Sequence, residues 1–325
     1  MNDVKKLTFS SPEEAILTTL ACYNALTIYP TAFELFSFLL KPKLSTHCAE
    51  RDISYADILN ILAQLENQGL IGQEHGFYFF SFLSSHKKNL GTHRIATDSL
   101  LDQKWRILAR YLSVFQILPF VQGSFVSGSL AIGTVRAHSD FDFLIISKPN
   151  RLYTLRLFSV CVFGLLGIRR TPHHREHEIC NKVCLNHYLS ASSLIMKDRL
   201  TEGMFLYTRL IPVYTEQGAI IDHFFKANEW IQDYFFRTAF EERVRYSERP
   251  RVFPRWNPIK FIFEFILSGI LGDSLEYFVY RSQKKRIPEE QNLFATPNEL
   301  NLHPNLERRH VRLQKILKEY FRRLW

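Results

Sequence analysis

"GSLAIGTVRAHSDFDFLII", residues 128–146, is the stretch on which the reading of the fold turns. It ends as a strand, and on a strand the side chains at i and i+2 point the same way. Asp140 and Asp142 therefore share one face, while Phe141 and Phe143 share the other. Two carboxylates this close repel each other unless a cation lies between them. Mg²⁺ suits such a pair, because it takes oxygen ligands and is commonly held by one or two carboxylates together with phosphates. Upstream, Gly128 permits close backbone approach, and Ser129 offers a hydroxyl and an amide to an anionic oxygen. Either half alone is an ordinary loop or an ordinary strand. Their order, the ten residues between Ser129 and Asp140, and the apolar run after Asp142 make the combination informative.

Working outward, "FVQGSFV" reads as the strand before this loop, and "KVCLNHYLS" as a later strand. A helix over about 151–168 and a basic, histidine-rich loop separate the two acids from that later strand. On the amino-terminal side, residues 93–117 form a connecting helix with Trp105, Leu108, Leu112 and Phe115 as its apolar stripe. The first ninety residues carry helix-start signals at Ser11–Glu14 and Thr31–Glu34, then a third helix from Ser54 that stops at Gly69. "LIGQEHGFYFF" follows as two short strands about a turn. Three helices and a two-stranded ribbon are the order of a winged helix-turn-helix. Its recognition helix would hold no Lys or Arg but carries Asp57 and Glu66, which disfavours contact with phosphates. A packing or dimerisation role fits it better than DNA binding. From Leu194 the pattern reads as helical nearly to the end. Expected helices centre on Phe205, Phe225, Phe235 and Phe263, and a basic terminal helix carries Leu313, Leu317 and Leu324 on one side.

The 325 residues suffice for two or three domains, and 46% apolar with 22% charged residues is a globular composition. A formal charge of +9 favours an anionic partner such as a nucleotide, nucleic acid or membrane surface. Five scattered cysteines imply no disulfide framework, and "MNDVKKLTFSSPEE" lacks the apolar core of a signal peptide, so a cytoplasmic protein with reduced thiols is expected. The apolar runs Leu157–Ile168 and Ile259–Leu271 fall well short of the roughly 20 residues needed to span a bilayer. They read as buried amphipathic helices, with a peripheral membrane contact as the alternative.

"SGSLAIGTVRAHSDFDFL" resembles the polymerase-beta-like nucleotidyltransferase superfamily, in which a Gly-Ser loop precedes a strand bearing two acids separated by one apolar residue. Ser127 stands where that family usually has an apolar residue. The resemblance implies that Asp140 and Asp142 hold the catalytic ions, a two-metal site for Mg²⁺ or Mn²⁺. It implies too that Gly128 and Ser129 contact the triphosphate of a nucleotide. With the leading winged helix, "VCLNHYLS", "LYTRLIPVY" and "FFKANEWIQDYF", most of the chain is similar to a group of bacterial nucleotidyltransferase-like proteins. The implied fold is an α/β (α+β) nucleotidyltransferase core over 93–192, behind a winged-helix module over 1–92 and before an all-helical region over 193–325. The implied reaction moves a nucleoside monophosphate from Mg-NTP to an acceptor hydroxyl or phosphate, releasing pyrophosphate.

The family usually adds a third carboxylate on a later strand. Here strict alternation along "VCLNHYLS" puts Asn186 in that position, and an amide brings neither negative charge nor a general base. Two aspartates then act alone, another acid such as Glu178 is recruited, or the chain is a non-catalytic nucleotide-binding or regulatory protein. His173, His174, His177, Cys180 and Cys184 form a zinc-like cluster of unfamiliar spacing and read better as a solvated basic loop. The basic terminal helix reads as a solvated face, or as a contact for nucleic acid or anionic lipid. P-loop, dinucleotide-binding and nucleophile-elbow signatures are missing from the sequence.

Overall fold

A computed structural model of the chain describes residues 11–41, 53–84, 89–171, 175–196, 207–235, 249–286 and 294–302, with 315, 316, 318–320 and 322 near the end. The chain opens with α1 (Pro12–Ala25), α2 (Ala32–Ser37) and α3 (Tyr55–Asn67), followed by an antiparallel ribbon of β1 (Ile71–Glu74) and β2 (Phe77–Phe80). The Ser11 hydroxyl accepts the Glu14 N–H, and Thr31–Glu34 and Ser54–Asp57 close reciprocal capping boxes. Gly69, with φ +72°, ends α3 as its sequence position suggests. Ile16, Leu20, Leu35, Ile58 and Leu62 are sealed from solvent and form the core of this unit.

After the single turn α4 (Ser81–Ser84), α5 (Leu90–Ala109) and a 3₁₀ turn (Leu112–Gln116) lay Trp105, Leu108, Leu112 and Phe115 against one face of a central sheet. The elements that follow are β3 (Val121–Ser127), α6 (Gly128–Ile132), β4 (Phe141–Ser147), α7 (Leu152–Leu165) and β5 (Val183–Ser190). Then come β6 (Ile211–Thr215), α8 (Ala219–Ala227), α9 (Pro258–Ile266), α10 (Ile270–Lys284), β7 (Phe294–Ala295) and β8 (Glu299–Asn301). The fold is mixed α/β. Among the described residues, six strands form one sheet in the order β6-β3-β4-β5-β8-β7. Only β4 and β5 run parallel, as a pair joined through a helical crossover must. Strand β4 is covered on both sides: Phe141, Phe143 and Ile145 enter the core beneath α5 and α7, while Leu144 and Ile146 meet Phe125, Leu189 and Phe224 on the opposite face.

Two expectations are corrected. Residues 193–325 are not all helical, because β6, β7 and β8 come from this region and complete the sheet. "IPVYT" is short and holds Pro212, which a strand tolerates at a sheet edge. Strand β6 is such an edge, and its register against β3 shifts beside Pro212. Nor is Ile259–Leu271 a buried amphipathic helix. Most of its large apolar side chains, from Ile259 through Leu271, are exposed, as are Leu165 and Leu166 at the end of α7. The helix centred on Phe205 and residues Leu313, Leu317 and Leu324 lie outside the described residues, although Tyr320 packs its ring against Phe80 and Phe82. Among the described residues, no helix is long and apolar enough to cross a membrane.

Phe115 joins the sheet to its helices, with ring centroids 5.1 Å from Phe143, 5.8 Å from Phe163 and 6.0 Å from Tyr214. Phe115→Ala is expected to cost about 3–5 kcal/mol of folding free energy, measured as a lower midpoint in urea unfolding at unchanged slope.

Candidate functional site

Strand β3 delivers the chain to Ser127, which lies in register with Asp142 on β4, and Asp142 in turn lies in register with Cys184 on β5. Immediately after Ser127 the backbone turns into α6 through Gly128 at φ +63°, a left-handed conformation that glycine adopts freely. A Cβ at Gly128 would stand 2.1 Å from Asp142 Oδ2, inside any tolerable contact. The glycine is therefore required twice, for its φ and for its missing side chain. The Ser129 carbonyl accepts the N–H groups of Gly133 and Thr134, each at 2.9 Å, and Gly133 closes the short helix at φ +90°. The two halves of the sequence motif meet in space, with the glycine turn lying directly on the second aspartate.

Oxygens of Asp140 and Asp142 and the Cys184 sulfur all lie within 4.8 Å of one another. The Cys184 thiol is thus a third group of metal-ligating type beside the two acids. The register of β4 on β5 passes from Asp142↔Cys184 to Leu144↔His187, so two residues of β5 oppose one of β4. Leu185 and Tyr188, three apart, consequently enter the same core. Glu178 does not join the acids; it is exposed and its carboxylate accepts the Arg175 N–H at 2.7 Å.

Two basic residues brace the acids. Arg170 Nη1 donates to Asp140 Oδ2 at 2.5 Å and approaches Cys184 Sγ at 4.0 Å. Lys104, buried on α5, donates to the carbonyls of Ala137 and Ser139, each at 2.7 Å, and to Asn181 Oδ1 at 2.9 Å. It thereby ties down the loop that presents Asp140. Neither residue was singled out for this role from sequence, though a lysine next to Trp105 on the apolar stripe of α5 was a signal.

Burial, and then the neighbouring Asp142 charge, raise the Asp140 carboxyl above its ordinary range; Arg170 pulls the other way without cancelling the shift. Burial, followed by the two carboxylates, pushes the Cys184 thiol well above its usual value. The site thus offers two oxygen-bearing acids in mutual repulsion and one neutral thiol. The acids fit a hard divalent cation; the thiol is no ligand for Mg²⁺ and supplies neither charge nor a base at neutral pH.

Other candidates separate from this group. His173 and His174 lie outside the described residues, as do the His177 side chain and Arg308, Arg309 and Arg312 of the basic terminal helix. Cys180 Sγ instead donates to the Ala137 carbonyl at 3.1 Å. A cleft of about 600 Å³ lies between α5 and the loop after α6, lined by His93, Thr97, Thr134 and Arg136 among others; neither aspartate lines it. No family model, curated protein or solved structure matches the chain.

Gly128→Ala is expected to lose about 1–3 kcal/mol from the strained φ and to displace Asp142, read as a lower thermal midpoint and shifted amide resonances on β4. Asp142→Asn has the opposite effect in metal-free buffer. An acid whose folded pKa lies above its unfolded value leaves stability intact at low pH, where both states are protonated, and weakens the fold as pH rises through the folded value. Removing the Asp142 charge lowers the Asp140 pKa, so the variant should unfold at a higher temperature than the parent at pH 7. That gain should vanish on acidification through the Asp140 titration, as followed by calorimetry across pH.

Proposed function

We propose that the chain is a metal-dependent nucleotidyltransferase of the polymerase-beta-like kind, with residues 1–92 as an accessory winged-helix module. The observation that carries this reading is the Gly128 turn lying against the Asp142 carboxylate, with Asp140 beside it. A glycine needed for close approach and two acids that repel one another are what a site for a phosphate-bound cation requires. Asp140 and Asp142 would hold Mg²⁺, or Mn²⁺ in its place. The bound ion would neutralise charge on the triphosphate as the bond to the α-phosphorus is exchanged. Gly128 leaves room for the Asp142 carboxylate against the turn, and the turn's backbone with the Ser129 hydroxyl and amide would orient a phosphate oxygen. Arg170 takes up excess negative charge at Asp140 and would hand that carboxylate to the incoming ion. Lys104 keeps the 137–139 backbone in place while this happens. The product would be an acceptor hydroxyl or phosphate carrying a nucleoside monophosphate, with pyrophosphate released.

A second reading is favoured by specific observations. The metal-ligating group gathered beside the two acids is the neutral thiol of Cys184 rather than a carboxylate, and Arg170 already pairs with Asp140 at 2.5 Å. A non-catalytic nucleotide-binding or regulatory protein keeps the pocket and lacks the base. A DNA-binding regulator has less support, because α3 contains no Lys or Arg.

The purified chain, incubated with Mg²⁺, each α-labelled NTP and a cell extract, should transfer label to an acceptor. Asp140→Ala and Asp142→Ala should each reduce transfer by at least about 100-fold, the scale of losing a metal-held charge at a phosphoryl centre. Nucleotide binding by the parent without transfer would support the regulatory reading. Neither binding nor transfer would sink both.

A further inference from the structure

Helix α9 is built inside out. Its two charged residues, Lys260 and Glu264, point into the protein. Lys260 Nζ donates to Glu216 at 2.5 Å and to the Tyr214 hydroxyl at 3.3 Å. Glu264 accepts from Lys148 Nζ at 2.7 Å and from the Phe120 N–H at 2.6 Å. The rest of the helix is apolar and faces outward: Ile259, Phe261, Ile262, Phe265 and Ile266 are all more than half exposed. At about 100° per residue these five positions cover an arc of roughly 160°, which Phe263 widens to about 200°.

The apolar surface continues past the helix. Trp256 before α9 is 83% exposed, and Ile270 and Leu271, at the start of α10, are 84% and 68% exposed. Phe263 reaches the Phe158 ring of α7 at 5.0 Å, and Leu165, further along α7, is 90% exposed. Soluble monomers rarely leave a contiguous patch of this kind in water.

The charges of the same segment are sorted by sign. Residues 249–286 contain eight basic residues and three acidic ones. All three acids are turned inward or neutralised: Glu264 as above, Asp273 by Arg151 at 2.6 Å, and Glu276 by the N–H groups of Tyr153 and Thr154 at 2.8 and 2.7 Å. Arg251, Arg255, Arg281, Lys284, Lys285 and Arg286 are exposed. An outward face with an apolar centre, an exposed tryptophan and basic flanks complements an anionic lipid surface.

We propose that the α9–α10 segment docks this protein onto an anionic membrane. The apolar arc of α9 and the Ile270–Leu271 tip enter the headgroup–acyl boundary while the arginines and lysines meet lipid phosphates. Nine residues of helix are about 14 Å long, under half of the ~30 Å hydrocarbon thickness, so the segment lies in one leaflet and does not span. A second copy of the chain is the less fitting occupant, because it would bring the same positive charge to the contact. This inference is independent of the nucleotidyl-transfer reading, since it shares no residue with the aspartate site.

The full chain should co-sediment with vesicles of phosphatidylcholine containing about 30% phosphatidylserine, and much less with phosphatidylcholine alone, with binding that falls as salt rises. Trp256 emission should shift to the blue on binding, and Trp256→Phe should remove that shift. Ile270→Glu with Leu271→Glu, placed where both side chains are in solvent, should lower vesicle partitioning about tenfold or more. The circular dichroism and thermal midpoint of that variant should match the parent. Absence of parental binding, or unchanged binding in the double variant, overturns the proposal. So does lipid-independent dimerisation that the double variant abolishes, which would assign the face to a second copy.

Discussion

The contact on which the site depends is that of Gly128 with the Asp142 carboxylate. It exists because β3 and β4 pair antiparallel with Ser127 opposite Asp142, so the turn leaving one strand lies over the acid that opens the next. Any side chain at position 128 would fill the space that the carboxylate oxygen occupies. The loop and the acids are thus one unit, held in register by a strand pair whose residues are buried on both faces.

Around that contact the protein accepts electrostatic cost. Two acids lie close together with one shifted upward by burial and by its neighbour, and Arg170 offsets only part of the repulsion. Lys104 gives up solvent to hold three loop oxygens, and burial lowers its pKa. Such an arrangement weakens the fold and makes sense where charge is to be met by a ligand. The α9 face breaks a different rule, with charge inside and apolar surface outside. The two departures lie on different elements and share no residue.

Much of this was legible in the chain. The capping box at Thr31, the glycine stop at 69, the apolar stripe of α5 and its following turn, and the strand Phe141–Ser147 are local patterns, and local geometry obeyed them. What failed to show depended on partners distant in sequence. Strands β6 and β8 have too few residues to display a period, and they are strands because β3 and β5 offer them backbone partners. That Cys184 lies beside Asp142 follows from the register of β5 on β4, which the local pattern of β5 does not record.

The sequence by itself determined the local pattern: a glycine-serine turn, two acids on alternate positions, and apolar side chains at helical and strand periods. Those features follow from bond geometry within a few residues. Tertiary structure alone brought the Cys184 thiol and the cations Arg170 and Lys104 to the acids and their loop, and turned the apolar face of α9 outward. These outcomes depend on register and on charge pairs such as Lys260–Glu216 and Lys148–Glu264, formed between residues 44 and 116 positions apart, which no local pattern records.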